Sequence, residues 1–179
     1  MTVNTDSKDR GPAVDEHAPQ ASPAPKWAVL INDCLVPMPR QIVRVAVLRE
    51  QGSIPEDQVI FRDHNSEHDP VVAENGTVDL ATGNVFYSDA ACEAAGAIAS
   101  DAPAKLAYVV DDRWELVVKP EQTGRSLRDL FALPAESELL RDLESPDDVP
   151  VGDTASAAFQ EGCVFRTRRH QAVLEIKVN

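Results

Sequence analysis

Long hydrophobic runs are missing from this 179-residue chain. None approaches the ~20 residues that a membrane-spanning helix needs. No apolar stretch of signal-peptide type opens the chain, so the expectation is a cytoplasmic protein. Basic residues are in deficit: 17 Lys and Arg stand against 30 Asp and Glu, a formal net charge of −13. Such a chain repels DNA, RNA and anionic lipid, and we expect neither nucleic acid nor membrane as a partner. Glycine is scarce, at 8 residues, and no glycine-rich loop is built to cradle a phosphate. The three cysteines, Cys34, Cys92 and Cys163, lack metal-ligand spacing and read as reduced, small buried or surface thiols. No Ser-His-Asp or Cys-His spacing can be singled out. His64 and His68, with Glu67, have a spacing that binds metal on a helix, but they fall in a loop, and Asp147-Asp148 reads as a solvated acidic pair. The sequence therefore predicts no active site, no metal and no cofactor: a chain that is not an enzyme.

What the chain does contain is a repeat. Displaced by 79 residues, Trp27–Ser88 overlays Leu106–Thr167 without a gap. Identities are Ala28/Ala107, Asp33/Asp112, Leu48/Leu127, Arg49/Arg128, Pro55/Pro134, Arg62/Arg141, Asp63/Asp142, Ser66/Ser145, Asp69/Asp148, Val72/Val151, Gly83/Gly162, Val85/Val164 and Phe86/Phe165. These are 13 of 62 positions, where chance gives about 4. Two copies are too few for a solenoid, and a unit of roughly 65 residues can bury a small core. The expected organisation is an N-terminal disordered arm over 1–26, a first domain over 27–88, an Ala-rich linker over 89–105, a second domain over 106–167, and a strand-like tail over 168–179.

Each copy opens with a predicted hairpin turning at Asn32-Asp33 or Asp111-Asp112. Its second strands are Leu35–Arg40, marked as an edge by Pro37 and Pro39, and Trp114–Lys119. A helix follows. In the second copy it is capped by Thr123, carries Leu127, Leu130 and Phe131 on one face, and ends at Pro134. In the first copy the weaker helix formers Val43, Val45 and Val47 precede Leu48, with Gly52 as C-cap. Gln58–Arg62 and Ser137–Arg141 read as third strands. Thr77–Ala81 with Val85–Ser88, and Ser156–Gln160 with Val164–Thr167, close the copies. In the linker, Ala90–Ala99 has short-helix propensity. The order β-β-α-β-β-β implies an α+β unit, a mixed sheet packed on one helix.

That order is the order of the ubiquitin-like β-grasp. Val109-Val110-Asp111-Asp112, Gln122-Thr123-Gly124-Arg125-Ser126-Leu127, Leu133-Pro134 and Glu161-Gly162-Cys163-Val164-Phe165 resemble the bacterial multiubiquitin family, whose members string β-grasp units in a row. The resemblance covers Trp27–Thr167 apart from the linker. It is weaker in the first copy, where Arg44-Val45-Ala46 replaces Thr123-Gly124-Arg125. It implies a protein modifier, similar to the two-domain, interferon-induced modifier of animals. Its C-terminal carboxyl would be activated by an E1-like enzyme, passed to an E2-like conjugating enzyme, joined to target proteins and removed by a deconjugating peptidase. Such sets are associated with bacterial defence against phage.

The conjugation terminus would then be Lys177-Val178-Asn179. It departs from the Gly-Gly end of ubiquitin. Either the partner enzymes accept a different end, or a peptidase trims it, or the tail serves another purpose; deamidation of Asn179 is a further route to a reactive carboxylate. Leu139 and Leu140, on the third strand, are candidates for docking the enzymes, though strand alternation sends one of each such pair to the core. A second reading is a non-covalent adaptor or filament-forming subunit. Leu174, Ile176 and Val178 alternate with Glu175 and Lys177, and such a strand can add to the sheet edge of a neighbour. Target, linkage and domain arrangement stay open at the level of sequence.

Overall fold

The computed structural model describes residues 23–90 and 101–169. The first half holds β1 (Trp27–Ile31), β2 (Cys34–Met38), β3 (Ile42–Arg44), α1 (Val45–Gln51), β4 (Gln58–Arg62), β5 (Thr77–Asp79) and β6 (Val85–Ala90). The second holds β7 (Leu106–Val110), β8 (Arg113–Val117), α2 (Gly124–Leu130), β9 (Ser137–Arg141), β10 (Val149–Pro150) and β11 (Val164–Arg169). Both halves are α+β.

The sheets run β2-β1-β6-β4 and β10-β9-β11-β7-β8. In each, the opening strand pairs antiparallel with its hairpin partner and parallel with the last strand: Leu30 and Ile31 lie opposite Val85 and Phe86, and Val109 and Val110 opposite Val164 and Phe165. β2, which contains Pro37, is an outer strand. The hairpins turn because Asn32-Asp33 and Asp111-Asp112 adopt positive φ at both central positions (48° and 62°; 49° and 62°), which matches the twist of the flanking strands. The same turn residues hold the last strands: Asn32 Oδ1 accepts from Ser88 N at 2.9 Å, and Asp111 Oδ1 from Thr167 N at 2.8 Å.

Three sequence expectations are corrected. Val43 lies in β3, not in a helix, and pairs with Val78; α1 starts at Val45. Residues 42–44 are led by a β-branched pair that favours the strand. Ser156–Gln160 forms no strand. Ser156 makes one bridge to Thr123, and Phe159–Glu161 turns as a short 3-10 helix; the fourth strand of this half is β10 instead. Thr77–Ala81 is a strand only to Asp79, whose side chain then caps a 3-10 turn by accepting from Ala81 N. Thr123 does cap α2, in a reciprocal box with Ser126, and Gly52 is the C-cap of α1.

Many identities between the copies are explained by bonds made twice. Arg49 Nη2 reaches Gln58 O at 3.0 Å and pairs with Glu74; Arg128 Nη2 reaches Ser137 O at 2.6 Å and its Nε lies 3.2 Å from Asp153. The Arg62 guanidinium stands 5.4 Å over Phe86, and that of Arg141 5.2 Å over Phe165. Asp69 Oδ1 accepts from His64 N at 2.7 Å, and Asp148 Oδ1 from Leu143 N at 3.1 Å.

The two halves share one core. β1 and β7 are buried along their full length, five residues each. A strand alternates its side chains between two faces, so full burial means that both faces are covered. Trp27, Val29 and Ile31 belong to the same hydrophobic cluster as Leu106, Tyr108 and Val110. Trp27 meets Phe159 of the other half edge-on, with ring centroids 6.0 Å apart, and Phe159 in turn meets Tyr108 at 5.1 Å. A smaller cluster of Leu30, Val85 and Ala107, backed by Trp114, fills the space between the halves.

Candidate functional site

Lys177, Val178 and Asn179 lie outside the described residues, as do Leu174 and Ile176, Cys92, most of the Ala90–Ala99 segment, His17 and His170. What the structure gives is the strand that leads to the terminus. β11 sits between β7 and β9, with Arg169 opposite Ser137 at its end. Two of its three basic side chains are held by acids: Arg166 pairs with Asp148, and Arg168 Nε lies 2.9 Å from Glu138 Oε2. The chain thus leaves the second half from an inner strand of the sheet, next to the start of β9.

The two docking candidates are not on the surface. Leu139 is 0% exposed, in the core, and Leu140 is 1% exposed. Neither side chain can meet an enzyme in this arrangement. Strand alternation sends one of them to the helix side; burial of the other shows that the opposite face of β9 is also covered.

His64 and His68 occupy a loop. His64 Nδ1 lies 2.7 Å from Ala102 O, so the imidazole tethers the approach to the second half. No group of three or more His, Cys, Asp or Glu able to hold a metal occurs among the described residues. No helix among them is long and apolar enough to cross a membrane.

The most constrained polar site is the junction between the halves. Lys26 N donates to Asp142 O at 3.1 Å and Glu144 N to Ala24 O at 2.8 Å; 79 residues on, Lys105 N donates to Asp63 O at 2.9 Å and Asn65 N to Pro103 O at 3.0 Å. The Lys26–Asp142 and Lys105–Asp63 ion pairs repeat the pattern, both at 2.8 Å. Each half therefore lays the segment before its first strand across the loop that follows β4 or β9 of the other. Contacts that run from a to b and from b to a define a two-fold, isologous interface. Gly83 and Gly162 permit it. Their φ values, 145° and 115°, disfavour a side chain, and a Cβ on either would lie 2.5 Å from the Cβ of Ala104 or Pro25 respectively. The described ends of the expected linker and arm, 101–105 and 23–26, are thus part of this clamp.

On the axis, Asn84 is fully buried. Its Nδ2 donates to Ala28 O and Ala107 O, each at 2.9 Å, and its Oδ1 accepts from Ala107 N at 2.7 Å. Cys163 is also fully buried, with Sγ 3.6 Å from Ala28 O. Burial pushes its thiol up to about 12, against hydrogen bonds from its surroundings that favour the thiolate. It is a packing group here, not a nucleophile. Burial also lowers the pKa of Arg62 and Arg141, opposed by Asp79 and Glu161 respectively. These ionic groups fasten the sheets.

Sequence reading located the repeat but missed the junction. A signal for it existed. Trp27–Ile31 and Leu106–Val110 are unbroken apolar runs, the mark of strands covered on both faces. Comparison with protein-family models, with curated proteins and with solved structures gives no match.

Proposed function

We propose that this chain is a ubiquitin-like protein modifier of the bacterial multiubiquitin type: two tandem β-grasp units, activated at the C-terminus by an E1-like enzyme, carried by an E2-like enzyme and conjugated to target proteins, with a peptidase to reverse it. Defence against phage in the bacterial cytoplasm is the setting that the resemblance implies. The observation that carries the reading is the strand arrangement. Each unit places its last strand between its opening strand and the strand that follows its helix, parallel to the opening strand, with a short helix in the crossover. The second unit then sends its tail out of that inner strand. Activation acts on a main-chain carboxylate, so the chain itself needs no catalytic side chain. Its task is to hold a fold and free an end.

An alternative reading, a non-covalent adaptor or filament subunit, draws on the outer strand β10, where Val149 is half exposed at an edge. One experiment separates them. The N-terminally tagged chain is expressed with the E1-, E2- and peptidase-like genes of its own locus, and with each omitted, and denatured extracts are blotted. The modifier reading expects a ladder that needs the E1-like gene and is lost on removing residues 170–179. No ladder, together with native assemblies that the same truncation dissolves, overturns it in favour of the adaptor.

A further inference from the structure

One place in the first unit breaks two local rules at once, and the second unit keeps both. At the start of α1 the N-cap is Arg44, which makes no side-chain capping bond. A cation there also opposes the helix dipole. The matching residue in the second unit is Thr123, a full cap. Two residues earlier, Ile42 is 54% exposed, the most exposed of the large hydrophobic side chains described. Its counterpart is Glu121, a residue suited to water. Violations without a local gain mark function more often than accident.

The surroundings say what the place can hold. Arg40, Ile42 and Arg44 are all exposed, at alternate positions, while Val43 between the last two is buried. Ile42 and Arg44 therefore share one face of β3, and Arg40, in the bend before it, lines the same groove. With Val47 and Thr77 they line a groove of about 440 Å³. β3 pairs only with β5, so its other edge is open. Gln41 O accepts from Leu80 N, and Val45 N donates to Gly76 O. In an antiparallel ladder these bonds alternate, so the main-chain groups of Ile42 and Arg44 face the open edge. Among the described residues, neither Arg40 nor Arg44 has an acidic partner, whereas eight other Lys and Arg side chains do.

We propose that the open edge of β3, with the groove-lining Arg40, Ile42 and Arg44, binds an extended acidic peptide of another protein. The peptide adds a short strand to β3, sets an apolar residue on Ile42 and brings a carboxylate to each arginine. The open main-chain edge of β3 pairs with a peptide backbone, which a nucleic acid lacks. The site lies in the first unit, and its occupancy does not depend on whether the C-terminus is conjugated.

The test uses the full chain, isotope-labelled, and follows its amide spectrum. The probe is the capped heptapeptide Ser-Glu-Thr-Val-Thr-Glu-Ser. One control carries Lys in place of both Glu, and a second is an eight-nucleotide oligothymidylate. The acidic peptide is expected to shift the amides of residues 40–47 and 77, and the lysine peptide is not. The Arg40→Glu/Arg44→Glu double variant should weaken binding about tenfold or more, and Ile42→Glu should weaken it comparably. Arg40→Lys/Arg44→Lys should retain it, which separates charge from a structural role. Unchanged second-unit amides confirm that each variant is folded. Equal binding of the lysine peptide, shifts that fall elsewhere, or oligothymidylate binding in place of the acidic peptide would each overturn the proposal.

Discussion

Asn84 and Cys163 occupy the same position of the two repeats, and the Asn84 amide nitrogen lies 3.8 Å from the Cys163 sulfur. Two residues related by a 79-residue shift touch only where the axis relating the halves passes. Asn84 does most of the bonding there, because its amide satisfies both Ala107 N–H and two carbonyls. Asn84→Ala leaves that buried donor without a partner, a cost of about 1–3 kcal/mol. Cys163→Ala removes only a small apolar group. The expected order in a thermal melt is wild type, then Cys163→Ala, then Asn84→Ala lowest; the reverse order of the two variants would refute the assignment.

The two glycines beside the clamp should respond alike. Gly83→Ala and Gly162→Ala each add a Cβ to a positive-φ residue, against Ala104 and Pro25 respectively. Strain and overpacking together should cost about 2–4 kcal/mol in each variant. Urea denaturation checks it. A midpoint within a few tenths of a molar of wild type would mean that the halves do not press together at these points.

The two helices should answer capping substitutions in opposite directions. Thr123→Ala removes a cap that accepts from Ser126 N and should cost about 1 kcal/mol. Arg44→Asn supplies a cap where none exists and should gain a few tenths to about 1 kcal/mol. The same substitution should weaken acidic-peptide binding. A stability gain with binding unchanged would separate the cap from the site.

Alkaline titration tests the junction by another route. Burial pushes the Cys163 thiol up to about 12, and burial together with a bond to Asp69 raises Tyr87 to about 12; Tyr108, buried inside the second unit, is raised as well. Each group holds its proton longer folded than unfolded. Their stabilising contribution is complete below the unfolded values, near pH 9 for the thiol and pH 10 for the phenols. It is lost as pH rises toward 12. The phenolate absorbance at 295 nm should therefore stay low at pH 10 and rise together with loss of secondary structure. A normal phenol titration near pH 10 in the folded protein would contradict the burial.

Thiol chemistry should split the cysteines. Cys34 is exposed on β2 and should react with a disulfide reagent within seconds at pH 8. Cys163 should react only at the rate of unfolding, and labelling followed by peptide mass mapping distinguishes the two. Prompt labelling of Cys163 would place the junction in solvent.

Much of the architecture is legible in the sequence because it rests on local rules. Asn32-Asp33 and Asp111-Asp112 select their turns, Pro37 marks an outer strand, and Thr123 announces α2. The third strands, Gln58–Arg62 and Ser137–Arg141, fall at the residues their apolar pattern indicates. β3 was hidden because Val43 and Val45 continue into a real helix, and a β-branched run reads either way. Strand alternation sends one of Leu139 and Leu140 to the core and leaves the other for the surface; both are buried, and no local pattern reports the second layer that covers the other face. The junction depends on Gly83, Asp63, Lys26 and their counterparts, each unremarkable alone. Only their reciprocity gives them meaning, and that is visible only when both halves are in place.

The reciprocal clamp gains a freedom from lying within one chain. An isologous contact is the kind that holds two identical subunits together, and every residue in such a dimer must serve both sides of the axis. Joining the copies in one chain removes that requirement. Like no longer has to face like, and the pair on the axis has become Asn and Cys, a combination that a symmetric dimer of one sequence cannot make. Within one chain the contact does not depend on concentration, and each side is free to differ from the other. Ile42 against Glu121 is what that freedom looks like on the surface.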